Sequence, residues 1–221
     1  MPFKKFSISN FRFSIGSKGY SLIELLIVIS IFGITVSLVT ASYLSFERNQ
    51  KFKNAALQLK SDIRYMQNKA LTGDKSLAGC IDSQSALIGW YLNVSTGAAS
   101  GYSLFSDCLG GGNETSNLLN NAAISLPRGV TICRIVANNI QKNDMNILFR
   151  PVSSTTNVYF FQASLPTPPF LLNGVLKATQ ETPPIGIYLT NGTAVCATVG
   201  TYKVVVQANG EVNEVRLTTN E

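Results

Sequence analysis

The chain has no histidine in 221 residues, and charged side chains make up only 14% of it. Without imidazole there is no usual general base and no serine–histidine couple, so the commonest routes to enzymatic acid–base or nucleophilic chemistry are closed. Cysteine is sparse as well: Cys80, Cys108, Cys133 and Cys196 contain no Cys-x-x-Cys pair, and with no histidine beside them a zinc site is not expected. The acids of the later chain, Asp82, Asp107, Glu114, Asp144, Glu181, Glu211, Glu214 and Glu221, are scattered and form no paired-carboxylate site. Asp107 and Glu114, flanking a Gly/Asn-rich stretch, give the one hint of calcium ligands and are read as solvated loop acids. Gly110-Gly111-Gly112-Asn113 lacks the lysine and following helix of a phosphate cradle. No catalytic, cofactor-binding or metal-binding residue is therefore expected, and an enzyme is the least favoured reading.

Charge is also missing locally. From Leu25 to Phe46 there are 22 residues without a charged side chain, enough at about 1.5 Å per residue to cross a hydrocarbon core roughly 30 Å thick. At the edge of this run stands Glu24, although a carboxylate at the centre of a spanning helix costs on the order of 2.5 to 3.5 kcal/mol and is usually paired or functional. A secretory signal peptide would have a shorter apolar core followed by a small-x-small cleavage site. An ordinary single-span anchor explains neither Gly19 nor Glu24.

The stretch Lys18-Gly19-Tyr20-Ser21-Leu22-Ile23-Glu24 followed by the apolar run resembles the prepilin signal of type IV pilins and type II secretion pseudopilins. The resemblance implies a basic leader cut after Gly19 by a membrane-embedded prepilin peptidase, N-methylation of the new amino terminus at Tyr20, and Glu24 as the family glutamate at the fifth mature position. Gly33 matches a common helix glycine. Two departures are visible: Tyr20 replaces the usual phenylalanine, and Ala41 stands where many major pilins have proline, so no proline kinks this helix.

Residues 1–19 carry Lys4, Lys5, Arg12 and Lys18 and no acid, which predicts a cytoplasmic leader and a carboxyl-terminal domain outside the cytoplasm. Losing those four cations lowers the formal charge from +6 to +2. Arg48, Lys51, Lys53, Lys60, Arg64 and Lys69 form a basic collar that reads as a juxtamembrane surface for anionic lipid or neighbouring subunits. Four cysteines beyond the apolar run suit an oxidising compartment and two disulfides, with free buried cysteines as the alternative. A hairpin of Leu87–Val94 with Tyr102–Asp107 would bring Cys80 and Cys108 to one end. That favours Cys80–Cys108 and Cys133–Cys196 over the two other pairings.

Phe52, Ala55, Ala56, Leu59, Ile63, Met66 and Ala70 recur at helical spacing, and Gly73 is a natural stop. One helix over 21–72 would be about 78 Å long. Beyond it the texture becomes short β-type runs. Hairpins are expected at Ser95–Gly97, at Asn191-Gly192 between Ile185–Thr190 and Thr193–Ala197, and at Asn209-Gly210 between Tyr202–Ala208 and Glu211–Leu217, the last two as type I′ turns. Further strands are expected at Ala123–Leu126, Val130–Val136, Asn146–Arg150 and Asn157–Gln162. Gly110–Asn121 reads as a flexible loop and proline-rich Leu165–Pro184 as a surface excursion. The fold class is α+β: a leader (1–19), a long helix (20–73, spanning segment about 23–46), and a β-rich domain (74–221) packed on the helix as a sandwich or curled sheet.

Gly89-Trp90-Tyr91-Leu92, Tyr102–Asp107, Ile124–Val130 and Ile147–Pro151 are similar to the domain of H-type minor pseudopilins and related minor pilins. The two resemblances together imply a filament subunit, a single-pass protein of the inner membrane before assembly. Its expected partners are the peptidase, other pilins or pseudopilins, an inner-membrane assembly platform and membrane lipid. In a fibre, Glu24 would meet the methylated amine of a neighbour's Tyr20. A tip adhesin or a DNA-uptake minor pilin is the alternative. Nucleic acid is disfavoured, because Gly210-Glu211-Val212-Asn213-Glu214-Val215-Arg216 puts acids where phosphate binding wants cations.

Overall fold

The computed structural model describes residues 19–76, 80, 84–96, 101–119, 123–151, 157–161, 170–172, 175–176, 183–191, 196 and 201–218. The leader through Lys18, the Gly97 turn, residues 192–195 and most of 165–182 lie outside these residues. One helix, α1 (Leu22–Leu71), is followed by thirteen strands among the described residues. The chain divides into two units, one ending at Ser45 and one running from Phe46 to Glu221.

Local chemistry sets both ends of α1. Ser21 is the N-cap: its carbonyl accepts the first helical bond from Leu25 N–H at 3.2 Å, and its Oγ accepts from Glu24 N–H at 3.2 Å. At the far end Gly73 N–H donates to Ala70 O and Asp74 N–H to Lys69 O, both at 3.1 Å, the paired bonds of a Schellman stop. Gly73 carries the required left-handed backbone, with φ of 62°.

In the second unit the helix buries Phe52, Ala55, Ala56, Leu59, Ile63, Met66 and Ala70, one stripe at three- and four-residue spacing. Each of the larger side chains contributes about 1.5 to 3 kcal/mol by leaving water. The stripe shares one core with the inner faces of two antiparallel sheets. The first has the order β3-β2-β1-β7-β8, formed by β1 (Ala86–Ser95), β2 (Gly101–Gly110), β3 (Asn113–Leu118), β7 (Asp144–Arg150) and β8 (Asn157–Phe161). The short β4 (Ile124–Ser125) also pairs with β2. The second has the order β13-β12-β11-β5-β6, formed by β5 (Val130–Ala137), β6 (Ile140–Lys142), β11 (Ile185–Asn191), β12 (Tyr202–Val206) and β13 (Val212–Arg216). β9 (Leu171–Leu172) and β10 (Val175–Leu176) make a two-stranded ladder. The long helix, the β1–β2 pair and the strands near 124, 130, 146 and 157 are thus the α+β architecture expected from the sequence.

Four local expectations are corrected. Gly110–Asn121 is not a loop over its length: Gly111 and Gly112, with φ of 58° and 86°, make a two-residue turn, and Asn113–Leu118 pairs with β2. Asn191-Gly192 does not turn β11 back into a hairpin with the residues that follow. Both edges of β11 are already taken, with Leu189 opposite Tyr202 on one side and Ile132 on the other. The β12–β13 turn is not type I′. Gln207 N–H donates to Glu211 O at 2.9 Å and Gly210 N–H to Gln207 O at 3.0 Å, leaving a three-residue loop with Gly210 at its left-handed position, φ 82°. The proline-rich stretch is not wholly a surface excursion, since Phe170 within it is 2% exposed.

Candidate functional site

Two regions carry the chemistry that remains: the amino end of α1 and the polar contacts of the second unit. Gly19 and Tyr20 precede the helix, and Tyr20 is 79% exposed. Leu22 through Leu44 expose every described side chain, including Leu22, Ile23, Leu25, Phe32, Leu38 and Val39. α1 is long and apolar enough there to cross a membrane. Its hydroxyls close on its own backbone: Ser30 donates to Leu26 O (2.8 Å), Thr35 to Phe32 O (2.9 Å), Ser37 to Ile34 O (2.7 Å) and Thr40 to Val36 O (2.8 Å). Such self-pairing suits lipid, where no water can satisfy a free donor. Glu24 stands in the first turn, where the helix dipole favours a negative charge. Ser21-Leu22-Ile23-Glu24 also has the spacing of a capping box.

The basic collar is corrected in part. Lys60 pairs with Glu214, Arg64 Nη2 donates to Val212 O at 3.4 Å, and Lys69 pairs with Asp74, so three of its six cations hold β13 or the end of α1. The Lys69 ammonium holds the Asp74 carboxyl below its usual range, and that carboxylate raises the Lys69 pKa in return. Lys69 also lies 5.7 Å from the Trp90 ring, whose Nε1 donates to Asp74 O at 3.0 Å. Glu214, one of the acids replacing the phosphate-binding cations of DNA-uptake relatives, is Lys60's partner. Arg48, Lys51 and Lys53 remain outside the core, Lys51 pairing with Glu47 at 2.7 Å.

Cys80 is bonded to Cys108 and Cys133 to Cys196, each with Cα atoms 5.5 Å apart. The first bond ties the segment after α1 to β2 and the second ties β5 to the chain between β11 and β12.

Asp107 is not a solvated loop acid. It is fully buried on β2, opposite Ser116 of β3, whose Oγ donates to Asp107 Oδ1 at 2.8 Å. Burial pushes its carboxyl up to about 9, and the neighbouring Glu114 adds to the rise. Glu114 in turn accepts the Phe170 N–H, and Phe170 packs edge-on against Tyr91 with ring centroids 4.8 Å apart. No cluster of three or more metal-ligating side chains exists among the described residues. The folded chain keeps the Asp107 proton at neutral pH while the unfolded chain releases it near the ordinary value of 3.8. Stability attached to this group is therefore full below pH 3.8 and is lost as the pH rises toward about 9. With no histidine to obscure the range, the thermal midpoint of the wild type is expected to fall between about pH 5 and pH 8. Asp107→Asn should flatten that fall, and an unchanged slope in the variant would assign it elsewhere.

Residues 16–40 match the family model for the prokaryotic N-terminal methylation motif. This supports a protein of the prepilin or pseudopilin type, processed by prepilin peptidase and assembled with other pilins. No curated protein and no solved structure matches the chain.

Proposed function

We propose that the chain is a structural subunit, a minor pilin or pseudopilin of the H-type class, that waits in the inner membrane and is drawn into a type IV pilus or type II secretion filament. It is not an enzyme. The observation that carries the reading is the methylation motif at residues 16–40, coincident with a helix whose described side chains from Leu22 to Leu44 are all exposed. A surface this apolar needs a partner, and lipid before assembly and the helices of neighbouring subunits after it both supply one.

In this reading residues 1–19 are the cytoplasmic leader, residues 20–73 the helix with its spanning segment at about 23–46, and residues 74–221 the domain outside the cytoplasm. Cleavage falls between Gly19 and Tyr20, Tyr20 is N-methylated, and Glu24 sets the position of a subunit against the next amino terminus. The H-type assignment rests on the resemblance of the segments on β1, β2, β4–β5 and β7. Mass spectrometry of the chain co-expressed with its peptidase and the methyl donor should find a mature species beginning at methylated Tyr20. Gly19→Arg should block processing, because a side chain at the scissile position obstructs the peptide bond. Normal cleavage of that variant would refute the assignment.

A further inference from the structure

The outer face of the second sheet carries an arrangement that assembly through the helix does not use. Tyr188 of β11 lies directly opposite Arg134 of β5 and Lys203 of β12. The Arg134 guanidinium is 4.2 Å from the Tyr188 ring centroid and the Lys203 ammonium 5.3 Å from it, so two cations converge on one aromatic ring. Two like charges drawn together on a sheet repel unless an anion lies between them. Among the described residues neither cation has a carboxylate partner, and the buried Arg134 Nε has no hydrogen-bond acceptor.

Beside this row the sheet opens into a cleft of about 160 Å³. Gly186 is its floor, Pro183 and Pro184 form one wall and the Asn138-Asn139 turn another. A Cβ on Gly186 would sit 3.1 Å from both Lys203 Cε and Tyr188 Cε2, so glycine keeps the floor open between them. At the rim, Asn138 and Asn139 hold left-handed backbone, φ 48° and 60°, in the two-residue turn that joins β5 to β6.

We propose that this cleft is an anion-binding site that takes the carboxylate of an acidic side chain presented by a partner polypeptide. The charge and the unsatisfied guanidinium nitrogen select an anion, and the planar guanidinium suits a carboxylate. Size selects the source. The volume is about half that of the smallest usual small-molecule pockets, which begin near 300 Å³, so a free ligand has few contacts to gain, whereas a tethered side chain draws the rest of its binding from the surrounding surface.

The test uses the full chain in detergent micelles with isotope-labelled backbone and arginine side chains. The probe is a blocked pentapeptide, Gly-Gly-Glu-Gly-Gly, alongside its glutamine analogue, free glucuronate and inorganic phosphate. Expected are saturable shifts at Arg134 Nε, Asn138 and Gly186 with the glutamate peptide at millimolar concentration. Binding should be about tenfold weaker for the glutamine analogue, the equilibrium effect of one charge-assisted hydrogen bond, and weaker also for glucuronate and phosphate. Lys203→Gln and Arg134→Gln should each cost a similar factor while the amide spectrum of the core stays in place. Gly186→Ala, which fills the floor, should weaken binding without removing a charge. An equal response to the glutamine peptide, phosphate or glucuronate matching the glutamate peptide, full binding in both charge variants, or no shift at all would each overturn the proposal.

Discussion

Glu24→Leu is expected to leave the protein membrane-bound and cut at Gly19 but to lower its filament-associated fraction by about a hundredfold. In lipid the change removes a polar group whose insertion costs on the order of 2.5 to 3.5 kcal/mol at the centre of a span, so anchoring should be unchanged or improved. In a fibre it strands the methylated amine of the adjacent amino terminus in a low-dielectric core, and breaking one side of a buried pair costs about 3 to 5 kcal/mol. The structure supplies a competing local role, because Ser21 and Glu24 have the spacing of a capping box. Glu24→Gln separates the two. Glutamine can still cap but carries no charge, so rescue of incorporation by glutamine would assign Glu24 to the helix end, and equal incorporation of the leucine variant would remove both roles.

The second large effect concerns the disulfides. Cys133–Cys196 closes a sequence separation of 63 residues and Cys80–Cys108 one of 28. In the chain-entropy account these closures are worth roughly 4.3 and 3.6 kcal/mol at 25 °C. Against a total stability of about 5 to 15 kcal/mol, each Cys→Ser pair should bring the domain close to unfolding. Urea unfolding of the two double variants, under conditions that prevent thiol exchange, should show midpoints well below wild type, with Cys133→Ser/Cys196→Ser the lower. Midpoints equal to wild type would mean that the bonds do not contribute to stability.

What the sequence revealed was whatever is local. The uncharged run, the cap at Ser21, the stop at Gly73 and the helical spacing from Phe52 to Ala70 are each set within a few residues, and all were legible. β3 was not, because Asn113, Glu114, Thr115, Ser116 and Asn117 offer no apolar alternation; the strand exists as an edge held to β2 by a two-glycine turn. The Asn138-Asn139 turn between β5 and β6 escaped a search for Asn-Gly. Asn191-Gly192 misled for the opposite reason: a good local turn pair follows a strand whose edges are taken by β5 and β12. The partners of Lys60 and Arg64 lie 154 and 148 residues away, a distance no local pattern spans. The burial of Asp107 likewise needed β3 and Phe170 to be placed first.

The hydroxyls of Ser30, Thr35, Ser37 and Thr40, each returned to its own helix, leave that surface with no hydrogen-bonding demand on whatever surrounds it. Such a helix recognises neighbours by shape alone and tolerates rotation about its axis, so it can sit beside unlike subunits as readily as copies of itself. A mixed fibre then needs no dedicated chemistry for each pairing of helices, and the identity of each position can be decided by the folded domains.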